Sequence, residues 1–191
     1  MGDGPFWMIV VFIAALAGQL FDITPLRDLS ILMIFGFIIS NAVFVFCKKY
    51  VKRKRPYADA DLQHDLGIEI QNRDPGHGSK EMESFPSGHV VWTTLCVSLI
   101  CFQFGYMWLF LLGWMIPTMM YLRPHLGVHY PSDVVAGLIL GILTAVVVIS
   151  AAPSILKILD GLKDHNGYLF GYWTFIGLFL FLGFKSWLKR V

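Results

Sequence analysis

The stretch "YLRPHLGVHYPSDVVAG", residues 121–137, joins one long apolar run to the next and places Arg123, His129 and Asp133 at the junction. Ionisable groups at the edge of hydrocarbon are costly and mark a task. The surroundings decide the fold class. Of the 191 residues, 56% are hydrophobic and 15% are charged, whereas soluble domains carry about 25% charged residues. The mean hydropathy is positive. This composition excludes an ordinary soluble domain and predicts a single-domain, all-α integral membrane protein.

A helix needs about 20 apolar residues to cross the hydrocarbon, with roughly 17–25 as the working range. About six runs qualify: residues 5–21, 29–47, 88–104, 106–122, 134–149 and 169–184. The first lacks the basic region and cleavage site of a signal peptide, so it is expected to remain as a helix. Pro117 should kink the fourth. Gly137 and Gly141 give the fifth a small-xxx-small face suited to close helix packing. Between the second and third lies a charged stretch, residues 48–86, expected to carry an interfacial helix near 59–70 and a Gly-rich loop near 74–79. Residues 151–168, "AAPSILKILDGLKDHNGY", look like an amphipathic interfacial stretch, and Trp187 with its cationic neighbours anchors the last run. Cys47, Cys96 and Cys101 lie in apolar runs and read as small buried hydrophobes.

If each run crosses once, the polar groups emerge together. The basic run "KKYVKRKR" (48–55) ends the second span, Ser87 to His89 open the third, Arg123 ends the fourth, and His129 to Asp133 open the fifth. All four clusters then share one side of the bundle, forming an interfacial site. Ser87 and Gly88 stand at a helix start, where unpaired N–H groups attract anions. His129 and Asp133 are four apart, so the carboxylate can meet one face of the imidazole and leave the other nitrogen as nucleophile or base. Arg55 and Arg123 are planar forks suited to phosphate, and Lys48 adds a point charge. Each feature alone has a plainer reading, as headgroup anchor or helix cap. Together they suit phosphoryl transfer, and no Cys/His or paired-carboxylate cluster suggests a metal.

The spacing of these residues resembles that of the type-2 phosphatidic acid phosphatase superfamily. Lys48, six residues, Arg55 and Pro56 match its first motif. "PSGH" at 86–89 matches the second. Arg123, five residues, His129, three residues and Asp133 match the third, except that Leu122 stands where a serine is usual. The matches span 48–133, within a catalytic core of about 29–150. The resemblance implies a lipid phosphate or lipid diphosphate phosphatase. In it His129 forms a phosphohistidine, Asp133 orients His129, and His89 serves as acid and then base. Lys48, Arg55, Ser87, Gly88 and Arg123 hold the phosphate. It implies no cofactor, no nucleic acid partner, and a lipid substrate that enters from the bilayer.

Two readings compete with hydrolysis: transfer of the phosphate to a second lipid, and non-catalytic lipid binding. Vanadium haloperoxidases share the motifs, but they are soluble. Phosphatidate, phosphatidylglycerol phosphate, polyprenyl diphosphate and a lipid A phosphate all fit. The positive-inside rule would place the site face in the cytoplasm, yet phosphate binding accounts for several of those cations. The resemblance implies an outward face, here the periplasmic side of a bacterial inner membrane. His125 is a candidate headgroup contact. His64, His77 and His165 have no evident partner, and Asp59, Asp61 and Asp65 read as a solvated helix face.

Overall fold

The computed structural model describes residues 4–74, 83–163 and 165–188, apart from the side chains at 186 and 187. Most of the expected Gly-rich loop, His77 and the Trp187 anchor thus lie outside what is described. Among the described residues the protein is all-helical, with only an isolated β-bridge between Lys54 and Glu83. The helices are α1 (Gly4–Leu20), α2 (Thr24–Val51), α3 (Ala60–Leu66), α4 (Gly88–Phe104), α5 (Met107–Leu112), α6 (Met115–His125), α7 (Pro131–Leu162) and α8 (Tyr168–Leu188).

Among the described residues, three helices are long and apolar enough to cross a membrane: α2, α7 and residues 168–185 of α8. α1 and α4 are apolar but shorter, at 17 residues each. The anticipated span at 106–122 is instead two short helices, α5 and α6, with a turn at Gly113 and Trp114. The break falls one turn before Pro117, where a proline removes the bond to the carbonyl four residues back, that of Gly113. The disturbance expected from Pro117 is thus a full interruption rather than a kink.

The helices also run longer than the apolar count suggested. α2 starts with Pro25 in its first turn and ends where Lys52 adopts a left-handed conformation at φ 46°. Its 28 residues make a rod of ~42 Å, longer than the ~30 Å hydrocarbon core. Lys48 and Lys49 therefore sit in its last turn. α7 continues unbroken through Pro153 to Leu162, so residues 151–162 extend that helix rather than forming a separate interfacial segment.

The core is built by α1, α2, α4, α7 and α8 around Val11, Leu32, Met33, Leu95, Leu99 and Ile176. Large apolar side chains such as Ile38, Phe110, Val146 and Phe181 face outward, as expected where lipid is the solvent. The anticipated small-residue face on α7 does close against α4. A Cβ on Gly137 would stand 2.8 Å from the carbonyl oxygen of Ser87, and one on Gly141 2.8 Å from that of Val91. Only glycine lets the first turns of α4 and α7 come this close, and those turns carry the site.

The polar segment after α2 folds over the α6–α7 junction. The expected interfacial helix is the shorter α3, capped by Asp59 through Leu62 N–H at 3.4 Å and ended by Gly67 at φ 62°. Tyr57 N–H donates to Gly127 O at 3.3 Å, and Arg73 N–H to Leu126 O at 3.1 Å. Gly127 has φ 75°, and a Cβ there would lie 2.6 Å from Gln71 O.

Candidate active site

The ends of α2, α4, α6 and α7 meet, as the alternation of apolar and polar segments anticipated. Pro131 starts α7, and Tyr130 precedes it in extended conformation. This leaves Asp133 in the first helical turn, where its Oδ2 accepts the Tyr130 N–H at 2.8 Å. That is one half of a capping box, and the helix dipole favours an anion there. Asp133 is fully buried. A buried carboxylate requires partners, and its Oδ1 accepts from Arg53 Nη1 at 2.9 Å.

His129 lies just before this turn and is also buried. Its Nδ1 faces Asp133 Oδ2 at 3.7 Å, longer than a hydrogen bond of about 2.7–3.2 Å. Nδ1 has no hydrogen-bond partner among the described residues. Burial pushes the imidazole down from its ordinary 6.5 to about 3. Asp133 pulls upward, while the charges of Arg123 and Arg55 push further down. The ring is therefore neutral at physiological pH. With the Nδ1 proton turned to Asp133, the lone pair resides on Nε2.

Arg55 is 1% exposed and donates to Val128 O at 3.4 Å. Its extended backbone is the one favoured before a proline, here Pro56. Lys48 donates to Glu83 O at 3.3 Å, with its ammonium 4.7 Å from the Phe44 ring. It is thereby tied to the segment that leads into α4.

Ser87 precedes α4, and its N–H donates to Asp133 O at 3.0 Å. The plain reading of Pro86, Ser87 and Gly88 as a helix start holds, since Ser87 is the N-cap residue of α4, but its side chain makes no cap hydrogen bond. Its Oγ is buried and has no partner among the described residues. A buried hydroxyl of this kind costs about 1–3 kcal/mol when it has no partner. A Cβ on Gly88 would crowd the Phe44 ring at 3.2 Å.

His89, in the first turn of α4, lines a cavity of about 360 Å³. Arg123 and Asp74 share its polar end, and Trp114, Met119 and Leu122 are among the residues of its apolar wall. Leu122, where a serine was usual, thus supplies apolar surface. His129 is not among the lining residues; Arg123, which is, carries one of the two charges that lower the His129 pKa. Arg123 is 4% exposed, and its Nη1 lies 2.8 Å from Asp74 Oδ2.

Other candidates stand apart. His125 is exposed and stacks on Tyr121, with centroids 5.6 Å apart. His64 pairs loosely with Asp65 at 3.8 Å on the surface, and His165 is exposed. Among the described residues, no three His, Cys, Asp or Glu are grouped to hold a metal ion. Asp59 is not a solvated face residue: Oδ1 caps α3, and Oδ2 accepts the Tyr130 hydroxyl at 2.9 Å. Burial first, then this bond, push that hydroxyl up to about 12, so it remains a donor. Arg53 and Asp74 were not singled out by sequence reasoning. Arg53 hides in a basic run that any membrane flank would carry, and Asp74 acquires its role only through the fold.

Comparison with known proteins agrees with the motif spacing. The sequence profile of the family described as PAP2 superfamily matches residues 29–156. The chain is 31% identical over 136 residues to decaprenylphosphoryl-5-phosphoribose phosphatase of Mycobacterium tuberculosis, in strains CDC 1551 / Oshkosh and H37Rv. This covers 71% of the chain and 65% of the relative. It is 33% identical over 102 residues to the protein of the same name from Mycolicibacterium smegmatis, covering 53% of the chain and 48% of the relative. No solved structure gives a significant match.

Proposed function

We propose that this chain, which belongs to the PAP2 superfamily, is an integral membrane phosphatase that removes a phosphomonoester from a polyprenyl-type lipid. The observation that carries the reading is the buried, neutral His129. A carboxylate faces its Nδ1, and the charges of two arginines bear on it. The names of the mycobacterial relatives support the substrate class. The apolar wall of Trp114, Met119 and Leu122 beside His89 and Arg123 suits the stem of such a lipid.

The mechanism follows from the roles open to each group. His129 Nε2 attacks phosphorus, the bond to the leaving oxygen breaks, and His89 gives that oxygen a proton. Water then loses a proton to His89 and attacks the phosphohistidine, breaking the P–N bond and releasing phosphate. Asp133 orients the imidazole and stabilises the charge it gains. Lys48, Arg55, Arg123, the Ser87 hydroxyl and the Gly88 N–H hold the phosphoryl oxygens as charge shifts among them. The reaction as drawn needs no metal.

We further infer six crossings, with α1, α4 and the α5–α6 pair joining the three longer helices. The meeting of α2, α4, α6 and α7 ends at one site supports this alternation. The site is assigned to the periplasmic face, and the chain to one domain with its catalytic core at about 29–150. A cysteine accessibility scan over residues 57–74 tests the sidedness.

Purified protein offered a polyprenyl-linked phosphosugar, a polyprenyl diphosphate, phosphatidate and phosphatidylglycerol phosphate should release inorganic phosphate fastest from the first. Release should survive a strong chelator. No release from any of them, or transfer of the label only to another lipid, would contradict the reading.

A further inference from the structure

We propose that Arg53, one of the six residues the first motif leaves unspecified between Lys48 and Arg55, is a positioning residue for the nucleophile. It fixes the carboxylate of Asp133 so that one oxygen is turned to His129, and Tyr130 with Asp59 holds Arg53 in place. This rests on His129 being the attacking group.

A carboxylate turns easily, because its terminal torsion is broad and roughly two-fold. In Asp133 both oxygens are engaged: Oδ1 by Arg53 Nη1 at 2.9 Å, and Oδ2 by Tyr130 N–H at 2.8 Å. The second contact alone is a pivot. Adding Arg53 on the far oxygen fixes the plane, and Oδ2 is thereby directed at His129 Nδ1, 3.7 Å away. In a substrate complex the remaining gap needs only a small closure, a tightening common when ligand binds.

Arg53 is itself held on three sides. Its Nη1 also donates to Ser132 Oγ at 2.7 Å, and its guanidinium stacks 3.7 Å from the Tyr130 ring centroid. The Tyr130 hydroxyl is tied to Asp59 Oδ2 at 2.9 Å, and Asp59 caps α3. Residues 53–54 are pinned in turn, since Ser84 N–H donates to Arg53 O at 2.8 Å. A headgroup anchor would have none of these bonds. A purely structural staple is also a poor explanation, because a cation at a helix N-terminus opposes the macrodipole, and Arg53 sits at the start of α7. Its target is the buried carboxylate. The Arg53 side chain is 37% exposed, whereas Arg55 is 1% and Arg123 4% exposed. It therefore stands at the rim, behind Asp133, rather than among the cations assigned to phosphate.

The test compares Arg53→Gln and Arg53→Lys with the wild type in detergent. By analogy with partners that orient metal-bound histidines, Arg53→Gln should slow phosphohistidine formation and kcat by about 10–100-fold. KM and the vanadate inhibition constant should stay within about two-fold, because phosphate contacts are untouched. Arg53→Lys should recover only part of the rate, since a lysine restores the charge but neither the fork nor the stacking on Tyr130. With ¹⁵N-histidine NMR, the His129 signal is identified by its loss in His129→Gln. It should show one Nδ1–H tautomer in the wild type and both tautomers in Arg53→Gln.

An unchanged kcat with an unchanged tautomer overturns the proposal. So does a raised KM or vanadate constant with kcat preserved, which would make Arg53 a phosphate ligand. A lowered melting temperature with no change in tautomer would make it a structural staple. If the wild type turns over no lipid phosphate, the phosphatase reading fails, and the tautomer still decides the role of Arg53.

Discussion

The backbone N–H of Ser87, at the start of α4, donates to the backbone carbonyl of Asp133, in the first turn of α7, at 3.0 Å. This bond joins the helix that carries His89 to the helix that orients His129. It exists because Gly137 and Gly141 leave no Cβ between the two backbones. His89, the proposed proton donor, and His129, the proposed nucleophile just before α7, are thus tied together by one helix contact.

The same residue separates binding from stability. The Ser87 hydroxyl is buried with no partner among the described residues. Ser87→Ala should therefore leave the melting temperature unchanged or raise it, since an unmet hydroxyl costs about 1–3 kcal/mol. Its affinity for vanadate, and kcat/KM, should fall by about ten-fold, the worth of one hydrogen bond to a charged group. Thermal melts and vanadate inhibition check both halves. A lower melting temperature with full affinity would make the Ser87 hydroxyl a structural group rather than a ligand contact.

Asp74 lies 2.8 Å from Arg123 through Oδ2 and Nη1, at the polar end of the cavity. A carboxylate there occupies the Arg123 fork that the proposed phosphoryl site would use. Asp74→Asn should lower KM and the vanadate constant by about 3–10-fold, consistent with one charge-assisted bond no longer displaced. Inhibition titrations measure this directly. Weaker vanadate binding in Asp74→Asn would show instead that Asp74 orients Arg123 for the ligand.

Protonation of His129 gives a stability signature. The unfolded imidazole titrates near 6.5 and the folded one near 3. Between these values the unfolded chain binds more protons, so His129 contributes stability that is full above 6.5 and is lost as the pH falls toward 3. On moving from about pH 7.5 to about pH 4.5, wild type should lose more melting temperature than His129→Gln, which lacks this proton linkage. Identical losses would mean that the imidazole is not held neutral by burial beside Arg123 and Arg55.

Much of this arrangement was readable before the fold. Apolar runs marked most of the helices, and Lys48–Arg55, Ser87–His89 and Arg123–His129–Asp133 were gathered by counting crossings. That worked because helix ends are where backbone and charge must leave hydrocarbon together. Pro117 marked a disturbance in the fourth run, but a full division into two short helices at Gly113 and Trp114 was not readable, since a proline in an apolar run can equally leave a single kinked helix. Nor was the continuation of α7 past Pro153, where tertiary context outweighs the proline. Arg53 looked like any basic flank residue because its meaning depends on Asp133, 80 residues away in sequence. Asp59 looked solvated until Tyr130 was placed against it.

The most direct test is rapid quench of labelled lipid phosphate with His89→Ala and His129→Ala. His129 as nucleophile and His89 as the group that activates water predict different failures. His89→Ala, given a substrate with a good leaving group, should accumulate an acid-labile, base-stable phosphoenzyme, because attack needs no proton donor but hydrolysis stalls. General acid–base assistance is worth about 10²–10⁴-fold, so the trapped species should persist through many wild-type turnovers. His129→Ala should show no phosphoenzyme and almost no turnover. Label on the His129→Ala protein, or full activity in both variants, would contradict a phosphohistidine at His129.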